Sequence, residues 1–279
     1  GGHTFQSLGV GRDHTCGVTT HGAVYCWGNN GYGQLGDGNV GDWASSNLPV
    51  PVNHGLPGLT FAAVAAGGTH TCAISAGGTV YCWGSNYLGQ LGDGTLTSHP
   101  TPMPVLGLSG IVALSLGFEH SCALDTLGKA YCWGRGGTLG NFRSVASAEP
   151  LPVDGGHAFR SIRASGFHTC AVTTDNRAYC WGVNGWGQLG NGTFNWGYAP
   201  VEIAPGLTWS WVGGGSSEEH TCGVTTAGKA YCWGRQQFGE LGIGIWGVEL
   251  LPVAVQGGID FGLPPSILGG PQPSVRRRP

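Results

Sequence analysis

Residues 67–95 read GGTHTCAISAGGTVYCWGSNYLGQLGDGT. This stretch contains the pattern His-(Thr/Ser)-Cys-(Gly/Ala)-x₇-Tyr-Cys-Trp-Gly, which occurs five times along the 279-residue chain. The copies contain all ten cysteines, in five pairs with nine residues between the members of each pair. Successive copies start about fifty residues apart, a period typical of one supersecondary unit repeated in an array. The pairs are Cys16/Cys26, Cys72/Cys82, Cys122/Cys132, Cys170/Cys180 and Cys222/Cys232.

The residues between the paired cysteines predict a β-hairpin in every copy. A three-residue segment at the middle ends in glycine or asparagine each time, as in Thr20–Gly22 and Thr174–Asn176. These two residue types reach the left-handed conformation at low cost, as a three-residue hairpin loop with a terminal bulge requires. Such a loop places the two cysteines directly opposite each other on adjacent antiparallel strands. Tyrosine and tryptophan then lie on the other face, against small residues.

Two further strands flank each hairpin. A strand-like run that ends in glycine precedes it, and a Gly-Gln-Leu-Gly loop leads to a proline-bearing run such as Leu48–Val52. Because proline is confined to sheet edges, this last run reads as the outermost strand of a four-stranded sheet. The sequence therefore predicts an all-β fold, a β-propeller of about five four-stranded blades over residues 1–258. A Pro/Gly-rich segment, residues 259–279, follows as a flexible or edge-capping tail.

The repeat at Gly67–Thr95 resembles the repeat of the regulator of chromosome condensation family, and the resemblance extends from about residue 5 to residue 255. The third copy departs from it with a shortened loop at 134–140, and the fifth with an altered loop at 239–244. The resemblance implies a propeller, and family members often have seven blades. Five copies leave two alternatives, a five-bladed ring or an open arc completed by another chain or by further sequence.

The resemblance also implies a function in protein binding. Members of the family include an exchange factor for a nuclear GTPase and a secreted inhibitor of β-lactamases. Nucleotide exchange does not suit a chain whose paired cysteines indicate an oxidising setting.

Charge and hydropathy exclude several classes of partner. Charged residues make up 10% of the chain, the net charge is −3 and the pI is about 6.4. A chain of this composition presents no broad basic field for nucleic acid or anionic membrane. No apolar run approaches the roughly twenty residues that span a bilayer. We therefore expect neither a nucleic-acid partner nor membrane insertion.

The cysteine pairs predict one disulfide per blade and a secreted, extracellular or cell-surface protein. Opposed positions of an antiparallel pair lie about 4.5–5.5 Å apart, within disulfide range. Metal binding is one alternative, because a histidine lies two residues before the first cysteine of each pair and on the same strand face. Zinc sites, however, bring cysteines two to four residues apart, and this spacing is nine. Free buried thiols are the other alternative, and no cofactor is expected.

The repeated histidines have two interpretations. A propeller would place them at equivalent positions, where a ring of imidazoles could bind a metal or an anion. The favoured interpretation is a local hydrogen bond, which a repeat needs once in every blade. They are His14, His70, His120, His168 and His220.

Aromatic residues that interrupt the repeat are the predicted binding residues. Trp43, Trp196 and Trp246 lie in the variable loop between the Gly-Gln-Leu-Gly turn and the proline strand. Phe194 and Tyr198 accompany Trp196. Aromatics on loops at one rim of a propeller are typical contacts for a protein hot spot or a sugar ring.

Catalysis finds no support in the motifs. The chain contains no Gly-x-Ser-x-Gly elbow, no phosphate loop and no His-Glu-x-x-His zinc motif. The leading hypothesis is a secreted, non-catalytic propeller scaffold that binds another protein through variable loops on one face. The alternatives are a lectin-like glycan-binding module and a structural subunit of an extracellular assembly. In that last case a homo-oligomer or filament forms through uncovered blade edges.

Overall fold

Five antiparallel sheets of four strands each make up the fold, as the repeat predicts. The computed structural model describes residues 2–215 and 219–257, and the predicted C-terminal segment 259–279 lies outside them. Strands that follow one another in the chain are neighbours in every sheet. The predicted all-β architecture of four-stranded blades is confirmed.

In the described part of the chain, the twenty strands have similar lengths in all five blades, and one 3-10 turn, Asp42–Ala44, precedes the fourth strand. The outermost strand of every blade contains at least one proline, as expected for edge strands. The strands are β1 (Phe5–Val10), β2 (His14–Thr19), β3 (Val24–Gly28), β4 (Ser46–Pro51), β5 (Phe61–Ala66), β6 (His70–Ser75), β7 (Val80–Gly84), β8 (His99–Pro104), β9 (Ile111–Leu116), β10 (His120–Asp125), β11 (Ala130–Gly134), β12 (Ser147–Pro152), β13 (Phe159–Ala164), β14 (His168–Thr173), β15 (Ala178–Gly182), β16 (Gly197–Glu202), β17 (Trp209–Gly214), β18 (His220–Thr225), β19 (Ala230–Gln236) and β20 (Gly247–Ala254).

The central hairpin of each blade has the predicted register and the predicted bridge. Gly22 has φ 80° and Asn176 has φ 66°, so the third loop residue is left-handed even where it is not glycine. The paired cysteines are direct partners across the two strands. All ten cysteines form disulfides, so the alternatives of metal ligands and free thiols are wrong. The bridges are Cys16–Cys26, Cys72–Cys82, Cys122–Cys132, Cys170–Cys180 and Cys222–Cys232.

Removing the third bridge by the double substitution Cys122→Ala, Cys132→Ala should lower the free energy of unfolding by about 2–3 kcal/mol. The bridge closes a short loop, with a sequence separation of 10, and so restricts the unfolded chain. Equilibrium unfolding in urea, without reductant, measures the change. An unchanged unfolding midpoint would contradict the expectation.

The core lies between blades, where two different faces meet. We call the side that carries the cysteines the disulfide face, and the side that carries the repeated tyrosine and tryptophan the tryptophan face. At the joint between blades 1 and 2, Cys16, Val18 and Leu35 of the disulfide face pack against Phe61 and Trp83 of the next blade's tryptophan face. The next three joints repeat this arrangement.

A chain of hydrogen bonds ties the two faces together at each joint. The carbonyl oxygen of Gln34 accepts the indole N–H of Trp83 at 2.9 Å and the hydroxyl of Thr71 at 2.8 Å. Since that hydroxyl proton is used, Nε2 of His14 donates to Thr71 Oγ1, at 2.8 Å. The histidine therefore makes the local hydrogen bond that the sequence favoured. Equivalent pairs are His70 with Ser121, His120 with Thr169 and His168 with Thr221.

The blades form an open arc over the described residues. Strands that pack closely between blades belong to consecutive blades, and none of these close pairs in residues 2–215 and 219–257 joins the fifth blade to the first. Of the two alternatives for closure, this arrangement is the open arc. In the same ranges, no helix has the length and apolarity that a bilayer-spanning segment requires.

Candidate functional site

Each blade has two rims with different connections. Because the strands are antiparallel and in chain order, alternate connections lie at opposite ends of the sheet. We call the end that carries the connections from first to second strand and from third to fourth strand the upper rim. The lower rim carries the hairpin turns and the connections between blades.

The exposed aromatic side chains of the described residues all lie at the upper rim. Single exposed apolar residues are ordinary on a protein surface, whereas their concentration on one side of the molecule marks a candidate binding surface. None of the Phe, Tyr or Trp side chains that the structure describes at the lower rim is comparably exposed. The upper-rim set is Tyr32, Trp43, Tyr87, Phe142, Trp186, Phe194, Trp196, Tyr198, Phe238 and Trp246.

The five aromatics predicted from the sequence belong to this set, but only three of them lie together. Trp43 is 101% exposed in the 3-10 turn of the first blade, and Trp246 is 74% exposed in the fifth. Phe194, Trp196 and Tyr198 all belong to the fourth blade. These three line one open depression of about 410 Å³ together with Asn195. We call the four residues the blade-4 aromatic cluster.

The cluster rests on the shortened loop of the third blade. The rings of Trp196 and Tyr198 lie 6.3 Å apart, centroid to centroid, with an interplanar angle of 42°. Gly137, with φ 80°, leaves the space that the Trp196 ring occupies, because a Cβ there would approach the ring to 3.2 Å. The backbone N–H of Phe142 donates to the Tyr198 carbonyl at 2.9 Å. The departure from the repeat at 134–140 therefore forms one wall of the cluster.

A buried asparagine fixes the loop that carries the cluster. The side-chain amide of Asn184 donates to the carbonyl oxygens of Thr193, at 2.8 Å, and Asn195, at 3.0 Å. Its Oδ1 accepts the backbone N–H of Leu189 at 2.9 Å. These bonds hold the loop in one shape before any partner arrives, which lowers the entropy cost of binding.

A second group of upper-rim residues was not found from the sequence. The guanidinium carbon of Arg12 lies 4.9 Å from the ring centroid of Phe118, and the rings of Phe118 and Phe167 are 5.4 Å apart. Arg135 lies over Phe167 at 4.4 Å and pairs with Glu119 at 2.6 Å. We call Arg12, Phe118, Phe167 and Arg135 the arginine–phenylalanine row. Cation–π contacts order these side chains.

The signal for this row is weak in the sequence. The residue after the glycine that ends the first strand region varies between copies, as Arg12, Gly68 and Phe118. Gly68 matters because a Cβ there would come within 2.7 Å of the Phe118 ring, so glycine makes room for the row. A similar cation–π contact joins the fifth and fourth blades, where the guanidinium carbon of Arg235 lies 4.6 Å from the ring centroid of Trp186.

The joint histidines are neutral structural groups. Burial lowers the pKa of His14 to about 4, against a smaller opposing effect of Asp13. Burial, with smaller contributions from neighbouring charges, lowers the pKa of both His70 and His120 to about 3. Nδ1 of all three rings has no hydrogen-bond partner, as suits the unprotonated nitrogen of a neutral imidazole. In the ranges that the structure describes, no cluster of histidine, cysteine and carboxylate side chains could hold a metal ion.

The blade topology, the joints and the repeat together define a propeller of the regulator of chromosome condensation type. The chain belongs to the RCC1-like domain family, whose profile matches residues 2–266. Its sequence is 32% identical to the ultraviolet-B receptor UVR8 of Arabidopsis thaliana over 253 residues, covering 87% of this chain and 56% of the receptor. The chain thus spans about half the length of that relative.

Solved structures share the fold. Yeast RCC1 (Prp20), determined bound to Kap60, is 25% identical with a TM-score of 0.75, over 91% of this chain and 64% of that one. Prp20p from Saccharomyces cerevisiae, described with its binding to Gsp1p and histones, gives a TM-score of 0.77 at 25% identity, covering 91% of this chain and 65% of that one. Human WBSCR16 gives a TM-score of 0.77 at 22% identity, covering 91% of this chain and 67% of that one. At this identity the likeness shows the fold alone.

Proposed function

We propose that the protein is a non-catalytic scaffold that binds another protein through its upper rim. The observation that carries the proposal is the confinement of the exposed aromatic side chains of the described residues to that rim. Tryptophan, tyrosine and arginine dominate the binding energy of protein interfaces. The blade-4 aromatic cluster supplies the first two residue types, and the arginine–phenylalanine row supplies the third.

The relatives support a protein partner. Yeast RCC1 was determined in a complex with Kap60, and the Prp20p structure was described together with binding to Gsp1p and histones. The present chain has a net charge of −3 and a rim whose arginines contact aromatic rings and glutamates. A partner with a mixed apolar and weakly charged surface fits this rim better than a polyanion does.

We also propose that the protein works in an oxidising compartment, outside the cell or on its surface. Ten cysteines that are all paired are rare in reducing compartments and common in secreted proteins. The test is the mass of the protein from its native source after alkylation without reductant. An unmodified mass is expected, and the addition of ten alkyl groups would contradict the proposal.

The binding test compares the two rims. The rim variant carries Phe194→Ser, Trp196→Ser and Tyr198→Ser, and the control carries Leu127→Ser in the lower-rim turn of the third blade, where Leu127 is 83% exposed. Partners captured by the wild-type protein from extracellular medium are purified, and their affinities for all three proteins are measured. We expect at least about tenfold weaker binding for the rim variant and no change for the control.

The outcome that would contradict this proposal is equal affinity of the rim variant and the wild type while both remain folded. Circular dichroism and unfolding midpoints establish that the variants are folded. The substituted side chains are at least 40% exposed, so large losses of stability are not expected.

A glycan is the second candidate ligand, favoured by the open depression of about 410 Å³ lined by aromatic rings and Asn195. Sugar rings stack on such faces, and an amide provides hydrogen bonds to hydroxyl groups. A glycan array probed with the same proteins distinguishes the two classes. Binding to defined glycans that Trp196→Ser abolishes, without a captured protein, would favour the lectin-like alternative.

A further inference from the structure

The blade-4 aromatic cluster has unused hydrogen-bond donors. The indole N–H of Trp196, the hydroxyl of Tyr198 and the side-chain amide of Asn195 form no hydrogen bond with any residue that the structure describes. The backbone carbonyls of the same loop are already occupied, since Asn195 accepts from Asn184 at 3.0 Å and Tyr198 accepts from the N–H of Phe142 at 2.9 Å. The cluster therefore suits a ligand that presents acceptors.

The loop that carries the cluster has no charged side chain. Residues 178–201 contain no aspartate, glutamate, lysine or arginine. The corresponding loop is charged in every other blade, through Asp37, Asp93, Arg143 and Glu240. Asn191 takes the repeat position of Asp37 and Asp93, and it still accepts the bond from the buried Asn184, at 3.2 Å. The bond is kept and the charge is absent, so the loop is complementary to an uncharged ligand.

Phe142 extends the aromatic surface onto the third blade. Its side chain is 76% exposed, and its φ of 58° is a left-handed conformation that is uncommon for a bulky residue. The bond from its N–H to the Tyr198 carbonyl fixes it, as does Asn141 Oδ1, which accepts the N–H of Arg143 at 3.2 Å. Such conformations are concentrated at ligand sites. Exposed rings on two neighbouring blades suit an extended ligand better than a single sugar ring.

A proline-rich segment combines the properties that these observations require. Proline has no N–H, so such a segment presents carbonyl acceptors without the matching donors. Its polyproline II helix is extended and has no internal hydrogen bonds, which leaves those carbonyls free. Proline side chains are uncharged and pack in grooves lined by aromatic residues, and the preformed helix loses little entropy when it binds.

We propose that the blade-4 aromatic cluster, together with Phe142, binds an uncharged proline-rich segment in the polyproline II conformation. Proline rings pack against Trp196 and Tyr198, and the free donors of the cluster bind the carbonyl oxygens of the segment. This inference rests on the proposed function, because it names the part of a protein partner that the upper rim binds. The residues involved belong to the third and fourth blades, which pack against neighbouring blades on both sides.

The probe is an N-acetylated, C-amidated decaproline peptide, compared with a Gly-Ser peptide of the same length. Surface plasmon resonance with immobilised peptides measures the affinities. We expect saturable binding to decaproline and none to the Gly-Ser peptide, and at least about tenfold weaker binding of decaproline by Trp196→Ser. Trp186→Ser is the matched control and should bind like the wild type. Trp186 is 41% exposed at the same rim of the same blade, against 42% for Trp196, and lies outside the depression.

Two conservative variants test the hydrogen bonds. Tyr198→Phe keeps the ring and removes the hydroxyl, so decaproline binding should weaken about three- to tenfold. Asn195→Asp replaces the amide donor by a carboxylate, which repels carbonyl oxygens, and should weaken binding at least as much. A sugar would tolerate this carboxylate, because its hydroxyl groups can donate. Decaproline binding that both variants leave unchanged would overturn the proposal.

The remaining outcomes distinguish this inference from the proposed function. The inference is wrong if decaproline does not bind, or if Trp196→Ser binds it like the wild type. The proposed function still stands in that case if a captured protein binds through the upper rim and hydrogen exchange maps its bound segment to a stretch without prolines. Both are wrong if the rim substitutions change the affinity for neither the peptide nor a captured protein.

Discussion

Trp133→Ala is expected to lower the free energy of unfolding by about 3–5 kcal/mol. The ring of Trp133 is completely buried at the joint between the second and third blades, and its N–H donates to the Gln90 carbonyl at 2.9 Å. Alanine leaves a cavity between two blades and removes one of the bonds across the joint. Denaturant unfolding with intact disulfides measures the loss.

The matched control is Trp27→Ala, the same repeat position at the open end of the arc. Because Trp27 is only partly buried, its removal should cost about 1–2 kcal/mol. Both variants are compared at a protein concentration where the wild type is monomeric, so that assembly does not contribute. Equal costs for the two substitutions would contradict the assignment of the joint as the main site of stabilisation.

Stability is expected to fall steeply as the pH drops from about 6.5 to about 4. His14, His70 and His120 have folded-state pKa values of about 4, 3 and 3, below the ordinary value of 6.5. In this interval the unfolded chain binds protons that the folded protein does not, so acid favours unfolding. Three such histidines give a limiting slope of about 4 kcal/mol per pH unit.

The dependence is measured as unfolding midpoint in urea at a series of pH values. His70→Gln removes one of the three groups and should reduce the slope by about 1.4 kcal/mol per pH unit, whatever it does to the stability at neutral pH. Stability that stays constant between pH 6.5 and pH 4 would show that the joint histidines are not held neutral by burial.

Local spacing was sufficient to predict the blades. The hairpin loop, the cross-strand cysteines and the edge position of the proline strand all depend on residues within one repeat, where sequence distance and spatial distance agree. Asn176 illustrates this, since its left-handed conformation was expected from its place in the loop. The blade-4 aromatic cluster was accessible for the same reason, because Phe194, Trp196 and Tyr198 are neighbours in the chain.

Features that combine residues from several repeats could not be predicted from the sequence. The arginine–phenylalanine row draws Arg12 from the first blade, Phe118 from the third and Phe167 from the fourth, and no local pattern links them. Closure also depends on the angle between consecutive blades, which the hairpin pattern does not encode. Trp43 and Trp246 lie in the same kind of loop as Trp196, so the sequence predicted all three as binding residues. In the structure Trp43 and Trp246 belong to the first and fifth blades, away from the fourth-blade depression.

The five disulfides have a consequence for how the chain is made. Each bridge joins cysteines separated by 10 positions, and the partner of every cysteine is the nearest cysteine along the chain. In an oxidising environment a hairpin can therefore form its bridge before the following blade has folded. No bridge crosses a joint, so an early bridge cannot trap two blades in a wrong order. Disulfides therefore stabilise individual blades, and noncovalent packing alone joins one blade to the next.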